Sequence, residues 1–336
     1  MLKMKNEIGS EFWDVPISAE SNKMFLDDTA WFGSGRSALT AIIRDIKKHK
    51  AVRKAAIPSW CCESMIIPFL QENLDVSFYP VYYDKGLVQD ISSVNDADIL
   101  LVMDYFGYTG YSKINNFDGT VIRDVTHSIF SHEYNDADYC FGSLRKWAGF
   151  WTGGFARGIK QFDTKDADKN YAVLRKAAME LKRAYISGNS DSKHYLETFE
   201  KAEELLEKSD AFGAEKRDIE LAQKLDIGYL KDRRRQNAQV LLNSFSQMAI
   251  FPTLSDNDCP MFVPILVQDG KRNELRKFLI DREIYCPIHW PISDYHSLNK
   301  ETKRIYDGEL SLVCDQRYTK DDMNRMVEAI KEFLEG

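Results

Sequence analysis

No CxxC pair occurs among the six cysteines of this 336-residue chain (Cys61, Cys62, Cys140, Cys259, Cys286, Cys314). That argues against a zinc site and against a disulfide framework, and it fits a reducing cytoplasm. Long hydrophobic runs are also missing. The longest uninterrupted aliphatic stretch, "ILLVM" at 99–103, is far below the roughly 20 residues that cross a bilayer, so no membrane association is expected. The opening "MLKMKNEIGSEFWDVP" lacks the apolar core of a signal peptide. Positive charge is in deficit, with 45 Lys and Arg against 52 Asp and Glu and a formal net charge of −7. A nucleic-acid partner is therefore not expected, because phosphate backbones are bound by clustered cations. Only "KDRRR" (231–235) is densely basic, and it reads as a solvated helix face. Internal repeats and low-complexity tracts are absent.

What is present is enough apolar residue, 44%, for one large domain or two ordinary ones. "WFGSGRSALTAIIRDIKKHK" gives a glycine-rich turn and then helical spacing at Leu39, Ile42, Ile43 and Ile46. Short β-rich runs follow: "KAAIPSW", "DVSFYPVYY", "ADILLVMDYF", "GTVIRDV", "ADYCFGS" and "GGFARG". Continuous apolar strands of this kind belong to a mostly parallel sheet covered by helices, so the first half reads as an α/β layer domain. From about 164 to 242 the chain becomes charged, alanine-rich and helical. It then restarts with "MFVPILVQ", "KRNELRKFLIDR", "EIYCPIHWPI" and "TKDDMNRMVEAIKEFL", a smaller α+β domain. The boundary falls within 230–250. We place a large domain at 1–235, with an N-terminal arm at 1–25, and a small one at 236–336.

Ligands of open α/β sheets sit at the carboxyl ends of the strands, and three groups fall there. In "GSGRSA" (33–38), backbone N–H groups at a helix start could hold a phosphate with Ser34, Arg36 and Ser37; an ordinary cap is the alternative. Asp124 closes an apolar strand, where a carboxylate needs a cation or donors; it could also be an N-cap or a partner of Arg123. His127 follows three residues later. Lys146 lies in "GSLRKWAGFWTGG", among aromatics and glycines where a buried ammonium would be costly, or else is a surface lysine beside Arg145. Together these are the parts that pyridoxal phosphate needs: a lysine for a Schiff base, an acid for the pyridine nitrogen and a phosphate cradle. Such a lysine must lose its proton to react, which desolvation favours.

In this order the motifs resemble the DegT/StrS family of fold-type I pyridoxal-phosphate enzymes, the sugar aminotransferases. "GSGRSAL" is similar to the family's phosphate turn, "RDVTHS" to its aspartate element and "SLRKWAGFWTGG" to its lysine element. "PSWCCESMIIPF" (58–69), "DYFGY" (104–108), "GYLKDRRRQNA" and "ELSLVCDQRYTKDDMNRMVEAI" resemble further segments, nearly end to end. The resemblance implies an aspartate aminotransferase-like large domain of three α/β/α layers plus the smaller C-terminal domain. It implies pyridoxal 5'-phosphate in a Schiff base with Lys146, Asp124 at the pyridine nitrogen and His127 at the ring hydroxyl or face. Gly35, Arg36 and Ser37 would bind the phosphate, helped by Ser143, and one of Trp60, Cys61 or Cys62 would cover the ring. His289, in "CPIHWPI", would reach substrate or else be a packed histidine. A homodimer with active sites at the interface is implied, which would account for the aromatics around Trp147 and Trp151; a packed core would do so equally.

Three departures stand out. Arg36 replaces the family's threonine, Thr152 replaces the acid before the glycine pair, and the serine upstream of the lysine is displaced. The implied activity is transfer of an amino group, from glutamate, to a keto sugar, nucleotide-linked, in surface polysaccharide or secondary-metabolite synthesis. Its rivals are a non-catalytic regulator or partner subunit on the same fold, a dehydratase with histidine in place of the lysine, and a nucleotide-binding loop in "GSGRSA". The last lacks a full GxGxxG and leaves Lys146 without a role.

Overall fold

The computed structural model describes residues 6–25, 28–108, 114, 117–131, 136–160 and 168–336. Its strands are β1 (Ile8–Gly9), β2 (Ala30–Phe32), β3 (Lys54–Pro58), β4 (Asp75–Tyr79), β5 (Val81–Tyr83), β6 (Leu87–Gln89), β7 (Ile99–Met103), β8 (Thr120–Asp124), β9 (Tyr139–Ser143), β10 (Gly154–Arg157), β11 (Phe262–Leu266), β12 (Ile284–Tyr285) and β13 (Glu309–Val313). The helices are α1 (Gly35–His49), α2 (Glu63–Gln71), α3 (Lys169–Ile186), α4 (Tyr195–Lys208), α5 (Lys216–Lys224), α6 (Ile227–Phe245), α7 (Arg272–Ile280), α8 (Lys300–Gly308) and α9 (Lys320–Glu335). The segments expected as strands and helices take those forms.

Seven strands make one sheet in the order β2-β10-β9-β8-β7-β3-β4. From β9 to β4 every pairing is parallel, whereas β10 runs antiparallel to both β9 and β2. All five residues of β7 and all five of β8 are buried, as strands covered on both faces should be. Side chains alternate across the sheet. In β10, Phe155 joins a core with Leu230 of α6 and Ala222 of α5, while Ala156 joins the core of α1 and α2. Helices therefore cover both faces. Trp147 is fully buried in the α5–α6 core, so packing accounts for that aromatic.

The β11–β13 pair packs with α6, α7 and α9 around a separate apolar core that includes Leu241, Leu275 and Ile330. Helix α6 serves both regions, with Leu230 in one core and Leu241 in the other. One residue of the "KDRRR" segment departs from the solvated face its charge suggested. Arg234 is buried: its Nε donates to Gln316 Oε1 at 2.8 Å, its Nη1 to Met261 O at 2.9 Å, and its guanidinium lies 4.5 Å from the Trp147 ring centre. Carbonyl acceptors and an aromatic face replace the water it loses.

Candidate functional site

Because β2 runs with β9, the carboxyl ends of β2, β3, β7, β8 and β9 share one edge of the sheet. Each sequence-derived candidate on a strand end falls there. Asp124 ends β8 and is buried; its Oδ1 accepts from Thr126 N at 2.8 Å, a local Asx-type turn. It is not the partner of Arg123. That guanidinium donates to Asp104 at 2.8 Å and Asp136 at 2.7 Å. Burial pushes the Asp124 carboxyl up to about 6, opposed by the Thr126 hydrogen bonds and by Lys146.

Lys146 ends a single 3-10 turn, Leu144–Lys146, directly after β9. Trp147 Nε1 donates to Thr126 O at 2.7 Å and ties this turn to the Asp124 loop. The lysine is exposed, in line with the surface alternative, and stands on the wall of an open cleft of about 540 Å³. The cleft is basic, with seven cationic side chains on its walls against three acidic ones.

The glycine pair after Lys146 has a steric reason. Gly153 sits at φ +122°, and a Cβ on Gly154 would stand 2.0 Å from Ser34 O. Only glycine lets the phosphate-type turn pack so closely on β10. Within that turn Ser34 is the N-cap of α1, accepting from Ser37 N at 3.1 Å, and its hydroxyl lies 3.1 Å from that of Ser37. Gly35 abuts Ser143: an added Cβ would be 3.4 Å from Ser143 Cβ. Arg36 lines a second pocket with Glu63, Glu207 and Tyr295.

The strand-to-helix segment after β3 divides its candidates. Trp60 is fully buried, stacked on Tyr105 at 4.8 Å, and donates to His289 O at 2.7 Å. Cys61 is buried; its N–H donates to Tyr306 Oη at 3.0 Å. Cys62 is half-buried at the start of α2. Burial raises its thiol, Asp124 raises it further, and Lys146 lowers it.

His127 and His289 meet edge to face, ring centres 5.5 Å apart, and His127 stacks on Trp290 at 5.5 Å. Burial first, then Lys146, lowers His127 to about 3, so its ring is neutral. Its Nδ1 is buried without a hydrogen-bond partner. Burial, His127 and Lys146 together hold His289 well below its ordinary value. His289 Nδ1 lies 2.8 Å from Ser311 Oγ, whose hydroxyl donates to Glu309, and His289 N donates to Glu309 Oε2 at 2.7 Å.

Sequence reasoning missed four side chains here. Trp290, Ser311 and Glu309 set the surroundings of the two histidines. Asp218, on α5, accepts from Thr152 N and Oγ1 at 2.7 Å each. The acid missing before the glycine pair thus reaches it from another element. A Glu at the head of an apolar strand is the signal available for Glu309, and it names no partner; Asp218, inside the charged run 215–220, carries no such signal.

No protein-family profile matches the chain, and no curated protein matches it. Solved structures do. NtdA from Bacillus subtilis, with bound cofactor PMP, superposes with a TM-score of 0.62 at 13% identity, over 92% of this chain and 73% of that one. PseC from Helicobacter pylori, an aminotransferase involved in the biosynthesis of pseudoaminic acid, gives 0.61 at 14% identity over 96% and 99%. A DegT DnrJ EryC1 StrS aminotransferase from Brucella abortus gives 0.58 at 12% over 91% and 86%. The chain thus shares the α/β fold of these solved structures, two of which are described as aminotransferases and one as holding the cofactor PMP.

Proposed function

We propose that the chain is a pyridoxal 5'-phosphate-dependent aminotransferase moving an amino group from glutamate to the keto carbon of a sugar, nucleotide-linked, in polysaccharide or secondary-metabolite synthesis. The observation that carries this reading is the shared sheet edge, where buried Asp124, Lys146 and the N-terminus of α1 come together. The side chains suit the group. A dry carboxylate at Asp124 favours a cation against it, the unpaired His127 Nδ1 can bond a ring substituent, and the Ser34–Ser37 turn beside Ser143 offers donors to a phosphate. Of the two thiols after β3, Cys61 is fully buried whereas Cys62 is half-buried at the start of α2, which makes Cys62 the candidate to cover the ring.

When bound, the cofactor supplies an electron-withdrawing ring that acidifies the substrate carbon bearing the amino group. Lys146 Nζ is the base that takes the proton from that carbon of the donor, and the acid that delivers one to the acceptor carbon. His289 lies at the cleft wall, where neutral imidazole can bond a sugar hydroxyl. The exposure of Lys146 in one chain agrees with a homodimer in which a second subunit closes over the cleft and excludes water. Residues 1–235 and 236–336 are the two domains of this reading, and the cytoplasm its compartment.

Single-turnover assays test it. Protein loaded with the cofactor should convert glutamate to 2-oxoglutarate, and Lys146→Ala should not. One observation favours a second reading, a non-catalytic partner on the same fold: Arg36, where the resembled family has threonine, lines a pocket with Glu63 and Glu207. Absence of turnover with every amino donor tried would favour that reading.

A further inference from the structure

Lys146 is flanked by a second polar cluster that the chemistry above does not use. Arg145, from the turn after β9, and Arg175, from α3, both donate to Glu203 Oε1 of α4, Arg175 at 3.4 Å. The two arginine side chains are 11% and 3% exposed, whereas that of Glu203 is 46% exposed. Glu11, from the segment after β1, is a weaker second partner of Arg175 at 3.7 Å. The arginines are held by aromatic faces, Arg145 at 5.5 Å from the Tyr171 ring centre and Arg175 at 4.7 Å from that of Phe199.

Donors exceed acceptors here. Arg145 Nε, Arg175 Nε and the Tyr171 hydroxyl are buried with no hydrogen-bond partner, a costly state for three groups in one place. Against burial, which pushes the Glu203 carboxyl up, Arg145, Arg175, Lys146 and Arg36 hold it below its ordinary value. The half-exposed Glu203 carboxylate thus faces four cations, and Arg175 has a second, weaker partner here in Glu11. Arg145, Arg175 and Glu203 all stand on the wall of the cleft that holds Lys146.

We propose that Arg145 and Arg175 form a subsite for an oxyanion group, either phosphoryl or a terminal carboxylate of a dicarboxylate, and that Glu203 is the resident carboxylate it displaces. A tetrahedral or bidentate oxyanion satisfies more guanidinium donors than one carboxylate oxygen does. Displaced Glu203 swings toward water, which its exposure permits.

The test is calorimetric titration of the full chain with inorganic pyrophosphate and, separately, with glutarate, each with and without saturating pyridoxal phosphate. At least one ligand should bind in both conditions, and the tighter one identifies the source of the oxyanion. Arg175→Gln should weaken binding about tenfold or more, and Glu203→Gln, which removes the competing charge, should tighten it by about tenfold. The gain from Glu203→Gln cannot come from misfolding. Binding of neither ligand, binding abolished by pyridoxal phosphate, or unchanged or weaker binding in Glu203→Gln would overturn the proposal. The cofactor reading is judged separately, by absorbance, so the two can fail independently.

Discussion

The indole N–H of Trp147 donates to the carbonyl of Thr126 at 2.7 Å, so the residue after Lys146 is fastened to the second residue after Asp124. Two strand-end loops that would otherwise move separately are thereby held in register, and the lysine and the aspartate keep a fixed relation. Trp147→Phe keeps most of the ring and removes the donor. We expect a loss of roughly 1–3 kcal/mol in chemical denaturation, since the Thr126 carbonyl loses its partner and part of the packing goes. Weaker pyridoxal phosphate binding should accompany it. Unchanged cofactor affinity in a folded variant would show that the tie does not position Lys146.

Gly154→Ala tests the steric account of the glycine pair. The new Cβ would lie 2.0 Å from Ser34 O, so either β10 or the α1 turn must shift. A cost of about 1–3 kcal/mol or more is expected. Gly86, with nothing within 4 Å of its added Cβ, provides the control, and Gly86→Ala should be close to neutral. Equal effects at the two positions would contradict the close approach.

Glu309→Gln should change how stability depends on pH. Burial pushes the Glu309 carboxyl up to about 8, against the hydrogen bonds of Ser311 and His289 N–H and the charge of Arg272. Between about pH 4.5 and 8 the native state holds a proton that the unfolded chain has released, so this group lowers stability as pH rises through that window. The limit is about 1.4 kcal/mol per pH unit. Glutamine cannot ionise but still accepts from His289 N–H. Wild-type and variant Tm values should therefore lie closest near pH 4.5 and diverge toward pH 8, with the variant ahead. Parallel curves would contradict the assignment.

The strands themselves and the polar residues at their ends were legible because both are local, whereas the order of the strands was not. A strand buried on two faces must be apolar throughout, and a polar residue at its carboxyl end stands out, which is how Asp124 and Lys146 were found. The helix at 35–49 was legible for a similar reason, with Ser34 as its cap and aliphatics at helical spacing. What remained hidden depends on pairings between distant segments. Asp218 meets Thr152 across 66 positions, Arg234 meets Gln316 across 82, and Cys61 lies against His296 across 235. Charge alone misled at Arg234, buried despite its basic run.

The most direct measurement is an absorbance spectrum of the purified protein with added pyridoxal phosphate, repeated after glutamate and again with Lys146→Ala. The account predicts a band near the visible edge that glutamate bleaches and that the variant lacks. No band in the wild type, or the same glutamate-sensitive band in Lys146→Ala, would contradict it.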